Sequence, residues 1–356
     1  TYNLMFLSLH ETAIHLAQGA LKKARLSLSD SRKRWRQEFA TDLGAETVMS
    51  ALNASLEYET GQITSARHSV RKSAYRMPDS EAWFDIYAAA YEPMARITAD
   101  DHGLGAALEL LEDQRRRLNA QGLPRVAAHI DNIAMVLAGE HWITGRLSKW
   151  PAAPLVRFIE DNGSWQEIET YRLACAYQSC AEGRVNVALA DLEGAISSSV
   201  AKRLYRSCLR FQLAKMSVLD LEGNEELADQ AFSEALGLAV RLGATQVFHH
   251  HGTPQLTQRL EGVVSNDGHG STANVAFTRK LLKGRSKSRE VFEASLSARE
   301  LEVITALADG GSDKMLGRAL GMTEHGVRFH LKSIYKKLEV HDRVSAIQKA
   351  RMLGIS

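Results

Sequence analysis

Leu219-Asp220-Leu221-Glu222-Gly223-Asn224-Glu225-Glu226-Leu227-Ala228 decides how most of this chain is read. A small-and-apolar helical run stops at a glycine, and an alanine stands five residues further on. Glycine takes a left-handed turn without a Cβ penalty, and alanine lets the following helix pack closely against the one just ended. The same Gly-x-x-x-x-Ala spacing joins Gly19 to Ala24, Gly61 to Ala66 and Gly183 to Ala188. Similar helix ends precede two of them, Leu56-Glu57-Tyr58-Glu59-Thr60 before Gly61 and Ala174-Cys175-Ala176-Tyr177-Gln178-Ser179-Cys180-Ala181-Glu182 before Gly183. With Gly103 and Gly145 these glycines form a ladder with steps of about 40 residues, the mark of a repeated helix hairpin. Gly103 fits through Ala107, whereas Gly145 runs into Trp150-Pro151 and predicts a distorted middle unit.

Outward from this motif, residues 1 to about 262 hold few prolines and no alternating β-branched runs, so the region reads as all-α. At the glycine turns it resembles tetratricopeptide-like repeats, with a longer period than theirs. A hairpin buries its apolar face only against a neighbour, so the resemblance implies a solenoid with a continuous core and a concave groove. Residues 1–264 are therefore expected to receive a small-molecule or protein effector; a spacer or oligomerisation scaffold is the alternative use of the same architecture. Trp83, Tyr87, Tyr91 and Trp165 either line such a groove or fill the core. Cys175, Cys180 and Cys208 are too few for a disulfide framework and read as core residues. Consecutive residues on a helix point in different directions, so His249-His250-His251 does not read as a metal site, and no metal is expected.

The 356 residues, 45% hydrophobic and 24% charged, leave room for more than one domain. The net charge of +2 is unevenly spread: from Arg279 to Ser356 stand 16 Lys or Arg against 9 Asp or Glu, so that end is basic and the rest acidic. Affinity for a polyanion belongs at the end. No run of 18 apolar residues occurs, and Thr1 to Ala20 mixes His and Glu into its apolar residues, so neither a spanning helix nor a signal peptide is expected and the cytoplasm is the expected compartment. A start at Thr1 fits a fragment or a processed chain. Residues 265–295 are expected to be a flexible, basic linker: Ser265-Asn266-Asp267-Gly268-His269-Gly270-Ser271 is small and polar, and Arg279, Lys280, Lys283, Arg285, Lys287 and Arg289 follow. Those cations read as a solvated face or as an auxiliary arm for DNA phosphates.

Residues 296–356 are punctuated as four short helices. Ser297-Ala298-Arg299-Glu300 is a capping box that starts the first, and Gly310-Gly311 stops it. Ser312 caps a second that Gly321 ends, Thr323 caps a third that runs to about Leu338, and Arg343 opens a fourth. Val327, Leu331, Ile334 and Leu338 share one face of the third helix, so Arg328, Phe329, Lys332 and Lys336 share the other. Two helices across a tight glycine turn form a helix-turn-helix.

The segment resembles the LuxR-type DNA-binding domain from end to end. The match runs through Leu296-Ser297-x-Arg299-Glu300-x-Glu302-Val303-Ile304, Ala308-x-Gly310-x-Ser312-Asp313-Lys314, Val327-Arg328-x-His330-Leu331-x-x-Ile334-Tyr335-x-Lys337-Leu338-x-Val340 and Arg343-x-Ser345-Ala346. This implies a small four-helix domain on double-stranded DNA, with Arg328, Phe329 and Lys332 at base edges and Lys314, Thr323, His330, Lys336, Lys337 and Arg343 at the backbone. Packing inside the domain competes with the phosphate role of His330, and solvation with that of Lys337. The resemblance also makes Val344, Ile347 and Met352 of the fourth helix a dimer contact on paired half-sites; closure of the domain core is the other use of those side chains. Leu316-Gly317 replaces the usual Ile-Ala and Gly326 the usual Thr, and glycine costs about 1 kcal/mol inside a helix.

A long helical repeat ahead of this domain is similar in architecture to the C-terminal part of MalT-like regulators, which implies a transcription activator with an effector-sensing repeat region and RNA polymerase as a partner. Those regulators carry an ATPase module before the repeats. No Gly-x-x-x-x-Gly-Lys-Ser/Thr loop occurs here, so no cofactor is expected in this chain and ATP enters only if such a module precedes it. Gly163-Ser164-Trp165 lacks the flanks of a nucleophile elbow, and no His-Glu-x-x-His occurs, so no enzyme is expected. The alternative from another class is a protein-interaction adaptor in which the solenoid holds a partner and DNA binding is secondary.

Overall fold

The computed structural model describes residues 2–38, 43–77, 82–147, 150, 163–265, 271–308, 310–338, 340 and 342–352. Their regular structure is helical throughout. In chain order the helices are α1 (Tyr2–Ala17), α2 (Leu21–Glu38), α3 (Leu43–Glu59), α4 (Ile63–Ser73), α5 (Phe84–His102), α6 (Leu104–Ala120), α7 (Pro124–Ile143), α8 (Trp165–Ala181) and α9 (Val185–Ala201). There follow α10 (Tyr205–Leu221), α11 (Glu225–Leu242), α12 (Val247–His250), α13 (Pro254–Ser265), α14 (Thr272–Ser295), α15 (Ala298–Ala308), α16 (Asp313–Leu320), α17 (Glu324–Lys337) and α18 (Arg343–Met352). The chain divides into two compact units, residues 1–97, 108–143 and 149–251 in the first and 98–107, 144–148 and 252–356 in the second.

The glycine ladder marks the turns of the first unit. Gly19, Gly61, Gly183 and Gly223 all have φ between +68° and +76°, a conformation that spares glycine the Cβ clash other residues meet. Past each one an amide reaches back over the turn: Ala20 donates to the His15 carbonyl at 2.8 Å, Gln62 to Glu57 at 2.8 Å, Arg184 to Ser179 at 2.8 Å and Asn224 to Leu219 at 3.0 Å. This six-residue closure takes up carbonyls that a helix end leaves orphaned. Ala24, Ala66, Ala188 and Ala228 are fully buried, where the second helix of each hairpin meets the first. The ladder records only alternate turns. The turn from α9 to α10 is made by Arg203 at φ +58°, with Leu204 donating to the Ser199 carbonyl at 2.8 Å, and no glycine announces it. At the irregular step Gly145 is left-handed, residues 148–149 and 151–162 after it lie outside the described residues, and α7 packs on α8. Gly139, near the C-terminal end of α7, permits the close packing, because a Cβ there would stand 2.5 Å from the ring of Tyr177.

The first and last hairpins of this unit meet. α1 packs on α10, and the side chain of Leu242 fills the space a Cβ on Gly19 would need. The Thr245 amide donates to the Glu59 carbonyl at 3.1 Å, and Tyr58 Oη is 2.8 Å from His250 Nε2. Of the aromatics singled out in the sequence, Tyr87 and Tyr91 are buried core, and the ring of Trp165 lies under the Arg206 guanidinium at 5.2 Å. His251 Nδ1 is 2.9 Å from Ser217 Oγ.

Arg96, Arg206 and Arg210 lie among Glu59, Glu92, Glu140 and Glu169 in the interior, on α5, α10, α3, α7 and α8. Arg206 bonds Glu59 at 2.7 Å, Glu169 at 2.8 Å and Glu92 at 3.0 Å. Arg96 bonds Glu140 at 2.7 Å and Glu92 at 3.1 Å, and Arg210 bonds Glu92 at 2.6 Å and Glu169. Burial opposes the charge of Glu92, but the guanidiniums of Arg210, Arg206 and Arg96 hold its carboxyl well below the usual range. Glu140 is held down in the same way, chiefly by Arg96. The cleft beside this lattice, lined by Asp85, Glu92, Trp165, Gln166 and Arg206 among others, has room for about one water, about 10 Å³.

The second unit corrects the expected linker. Residues 272–295 are not a flexible tether but the helix α14, which packs on α13 with Val275, Thr278 and Leu281 buried. Lysine and arginine are good helix formers, so a basic composition alone does not loosen a chain. The small polar run is confined to 265–271, of which 266–270 lie outside the described residues. α13 packs on α14, and both fall in the second unit, which takes in 252–356 together with 98–107 and 144–148.

Removing one member of a buried ion network leaves the others charged without a partner, which costs about 3–5 kcal/mol. Arg206→Ala should therefore lower the unfolding free energy of the helical unit by about that amount in urea titrations followed by circular dichroism. A loss under about 1 kcal/mol would mean that the lattice carries no structural weight.

Candidate nucleic-acid interface

Four helices of the second unit build a small domain around Val303, Ile304, Leu307, Leu316, Val327, Leu331, Ile334 and Leu338. Each of the first three starts at the cap its sequence provides. Ser297 Oγ accepts from the Glu300 amide at 3.2 Å while Glu300 Oε2 accepts from the Ser297 amide at 2.7 Å, the reciprocal box that opens α15. Ser312 caps α16 through the Met315 amide at 3.4 Å, and Thr323 caps α17 through the Gly326 amide at 3.1 Å. Between them Gly321 is left-handed at φ +66°, which turns α16 into α17 within three residues.

With Val327, Leu331 and Ile334 turned inward, α17 presents its opposite face to solvent. Arg328, Phe329, Lys332 and Lys336 are exposed there, the Phe329 ring to 70%. Lys314 is exposed on α16 beside Met315, which is 61% exposed. Sequence reading passed over Met315. Its position follows once Leu316 and Leu320 are set as the inward pair of α16. The Thr323 oxygen is used by its cap, which leaves the hydroxyl hydrogen to donate outward. His330 is half-buried, its ring edge-on to Phe329 at 5.8 Å between centroids.

Three expected contacts are already engaged within the domain. Lys337 donates to Glu300 Oε2 at 2.6 Å, so this exposed cation is already paired with the buried carboxylate of the capping box. Arg343 donates to Asp313 Oδ1 at 2.6 Å and to the Gly311 carbonyl. Arg328 donates to Asp313 Oδ2 at 3.1 Å and to Glu324 Oε1 at 2.5 Å. On α18, Val344 is exposed and Ile347 packs against the domain core, so Ile347 closes its own domain; the side chain of Met352 lies outside the described residues. Burial pushes the Glu300 carboxyl up, but bonds from Lys337, Ser333 and Ser297 bring it down to about 2.

Two glycines depart from the pattern expected of the sequence, and they differ in kind. A Cβ on Gly317 would stand 2.7 Å from the Met322 carbonyl oxygen, so the tight turn between α16 and α17 needs the missing side chain. A Cβ on Gly326 would meet nothing closer than Thr323 Oγ1 at 3.4 Å.

This arrangement of capped helices, tight glycine turn and cationic outward face is a helix-turn-helix. Residues 294–350 match the family model for bacterial regulatory proteins, luxR family (GerE), and the chain carries a LuxR-type domain at these residues. The chain is similar to the putative HTH-type transcriptional regulator YhjB of Escherichia coli (strain K12), 50% identical over 62 residues that make up 17% of this chain and 30% of that protein. It is also similar to the nitrate/nitrite response regulator protein NarP of the same organism, 36% identical over 17% of this chain and 31% of NarP. The probable transcriptional regulatory protein SgaR of Hyphomicrobium methylovorum is 40% identical over 15% of this chain and 25% of SgaR. The chain thus spans about a third or less of the length of the curated relatives it matches. Among the described residues no helix is long and apolar enough to cross a membrane.

Gly326→Ala should stabilise the domain by about 0.5–1 kcal/mol through helix propensity, whereas Gly317→Ala should destabilise it by about 1–3 kcal/mol through the clash. Thermal melts of the two variants moving in the same direction would contradict the geometry. Because the folded Glu300 carboxyl titrates below its unfolded value, it stabilises the domain fully above about pH 5, and this contribution fades as pH falls toward 2. Glu300→Gln should melt lower at pH 7 and lose part of the acid sensitivity; an unchanged pH profile would argue against the network.

Proposed function

We propose that the chain is a transcription regulator that reads double-stranded DNA with α17, under the control of an effector received by its helical array. The observation that carries this reading is the outward face of α17, where exposed Phe329 stands between Arg328 and Lys332 in a LuxR-type domain. Arginine and lysine donate to guanine O6 and N7, and a phenyl ring contacts a thymine methyl. Lys314, Lys336 and the Thr323 hydroxyl hydrogen stand at the positions that fix such a domain on phosphates. Val344, exposed on α18, together with Ile347 and Met352 on the same helix, is the candidate for a contact between two copies on paired half-sites.

The array of hairpins has the character of a tetratricopeptide-like repeat, and its place ahead of the DNA-reading domain supports a MalT-like activator architecture. A groove of about 440 Å³ on α2, α3 and α4, lined by Arg32, Asn53, Glu57, His68 and Lys72 among others, supports a receiver role for the array. RNA polymerase is the partner that activation requires.

Selection from a random duplex library by the purified chain should enrich a defined sequence; smooth, salt-sensitive binding without enrichment would favour the adaptor role. On the enriched duplex Arg328→Ala should cost about 1–3 kcal/mol in fluorescence anisotropy while sparing a scrambled duplex. Lys336→Ala should weaken binding to both and reduce the salt slope by about one. Equal losses on both duplexes for Arg328→Ala would remove it from base reading.

A further inference from the structure

Asp313 carries no role in the reading of the DNA face given so far, yet it touches two of that face's cations. It is the first residue of α16, it is mostly shielded at 21% side-chain exposure, and its two carboxylate oxygens serve different helices. Oδ2 accepts from Arg328 Nε of α17 at 3.1 Å, and Oδ1 accepts from Arg343 Nη1 of α18 at 2.6 Å. Arg343 is further held by the Gly311 carbonyl, so the carboxylate is anchored from the side away from Arg328. Burial works against its charge, but the bonds from Arg328 and Arg343 keep the carboxyl below the usual range, so it is ionised at neutral pH.

The stereochemistry at Arg328 gives this contact a direction. A guanidinium has five N–H donors on two usable edges, a side edge through Nε and one Nη and an end edge through both Nη atoms. Asp313 takes the side edge at Nε, and Glu324 accepts from Nη2, which the two edges share. The end edge, built on Nη1 and Nη2, is the one that matches an acceptor pair such as guanine O6 and N7, with Asp313 on the opposite flank at Nε. An arginine on a free helix face samples many rotamers and loses that freedom on binding. A carboxylate fixed on the neighbouring helix removes part of that loss before DNA arrives, and it repels phosphates that would otherwise capture the guanidinium non-specifically.

We propose that Asp313 is a positioning residue for base recognition, which clamps the side edge of the Arg328 guanidinium so that its end edge is presented to a guanine. The inference rests on the reading of α17 as the DNA-reading helix. It makes specificity a property of two helices, with α16 supplying the orientation and α17 the donors. Arg343 shares the clamp, so a phosphate contact at α18 and the base contact at α17 are set by one carboxylate.

The test uses the full chain and two fluorescent duplexes, the sequence the wild-type chain enriches from a random library and its scrambled version. Asp313→Asn keeps the size of the side chain and removes its charge. Its ratio of affinities for the two duplexes should fall about tenfold, the preference for guanine at one position of a repeated selection should relax, and the scrambled duplex should bind as well as before or better. Adding Asp313→Asn to the Arg328→Ala variant should leave the ratio where it was, since the clamp then has nothing to hold. If Asp313→Asn unfolds the domain in a thermal melt, Asp313→Ser, with a helix-start preference of its own, carries the same comparison. An unchanged ratio, an equal loss on both duplexes, or the same effect in the Arg328→Ala background would overturn the inference while leaving DNA reading by α17 intact. Failure of the wild-type chain to enrich any sequence would overturn the reading of α17 itself, and the clamp with it.

Discussion

A helix cannot end without leaving amides at its start and carbonyls at its close that its own hydrogen-bond ladder does not reach. In a chain with eighteen helices and no strands among the described residues, that constraint governs nearly every connection. The turns of the array answer it with one backbone device, a left-handed residue followed by an amide that reaches back over the turn. The helix-turn-helix domain answers it at the other end of its helices, with Ser297, Ser312 and Thr323 on the first orphan amides. Because these closures are satisfied locally, the rest of the chain is free to place its apolar faces by packing alone.

The same locality explains what was legible in the sequence. Gly19, Gly61, Gly183 and Gly223, with the alanines five residues on, announce hairpins because the turn and the packing it permits lie within a few residues. The capping box at Ser297 and the inward row of α17 are local in the same sense. The turn at Arg203 was illegible because its conformation is imposed on a residue with no preference for it. The lattice of Arg96, Arg206 and Arg210 was illegible for a different reason: arginines and glutamates on helices normally read as solvated faces, and only the meeting of five helices buries them. The basic run misread as a tether shows the reverse error, since charge composition describes a surface and says little about backbone order. In the candidate site the exposure of Arg328, Phe329, Lys332 and Lys336 follows from the inward row of α17, but Asp313 and Met315 were not assigned, since their positions matter only against α17 and α18 or once the inward pair of α16 is fixed.

The domain at the C-terminal end sets acids among its bases. Glu300 pairs with Lys337, and Asp313 and Glu324 flank Arg328, so the net positive charge of this end is not spread as a uniform field. A uniformly basic helix binds any duplex and is limited by how fast it leaves the wrong ones. Carboxylates beside the cations break up that field here, with Lys314, Lys332 and Lys336 exposed between them.

Tyr58 and His250 touch across a separation of 192 residues, and Glu59 holds Thr245 and Arg206 from the other end of the array. An open stack of hairpins is modular: units can be gained or lost at its ends, and each needs only its neighbours. This unit has given up that freedom. The contacts that join its first helices to its last have a high sequence separation, which raises the contact order and so slows folding. Duplication of a hairpin would part Glu59 from Arg206 as surely as deletion would, which fixes the number of repeats as a property of the fold and makes the array a single cooperative block.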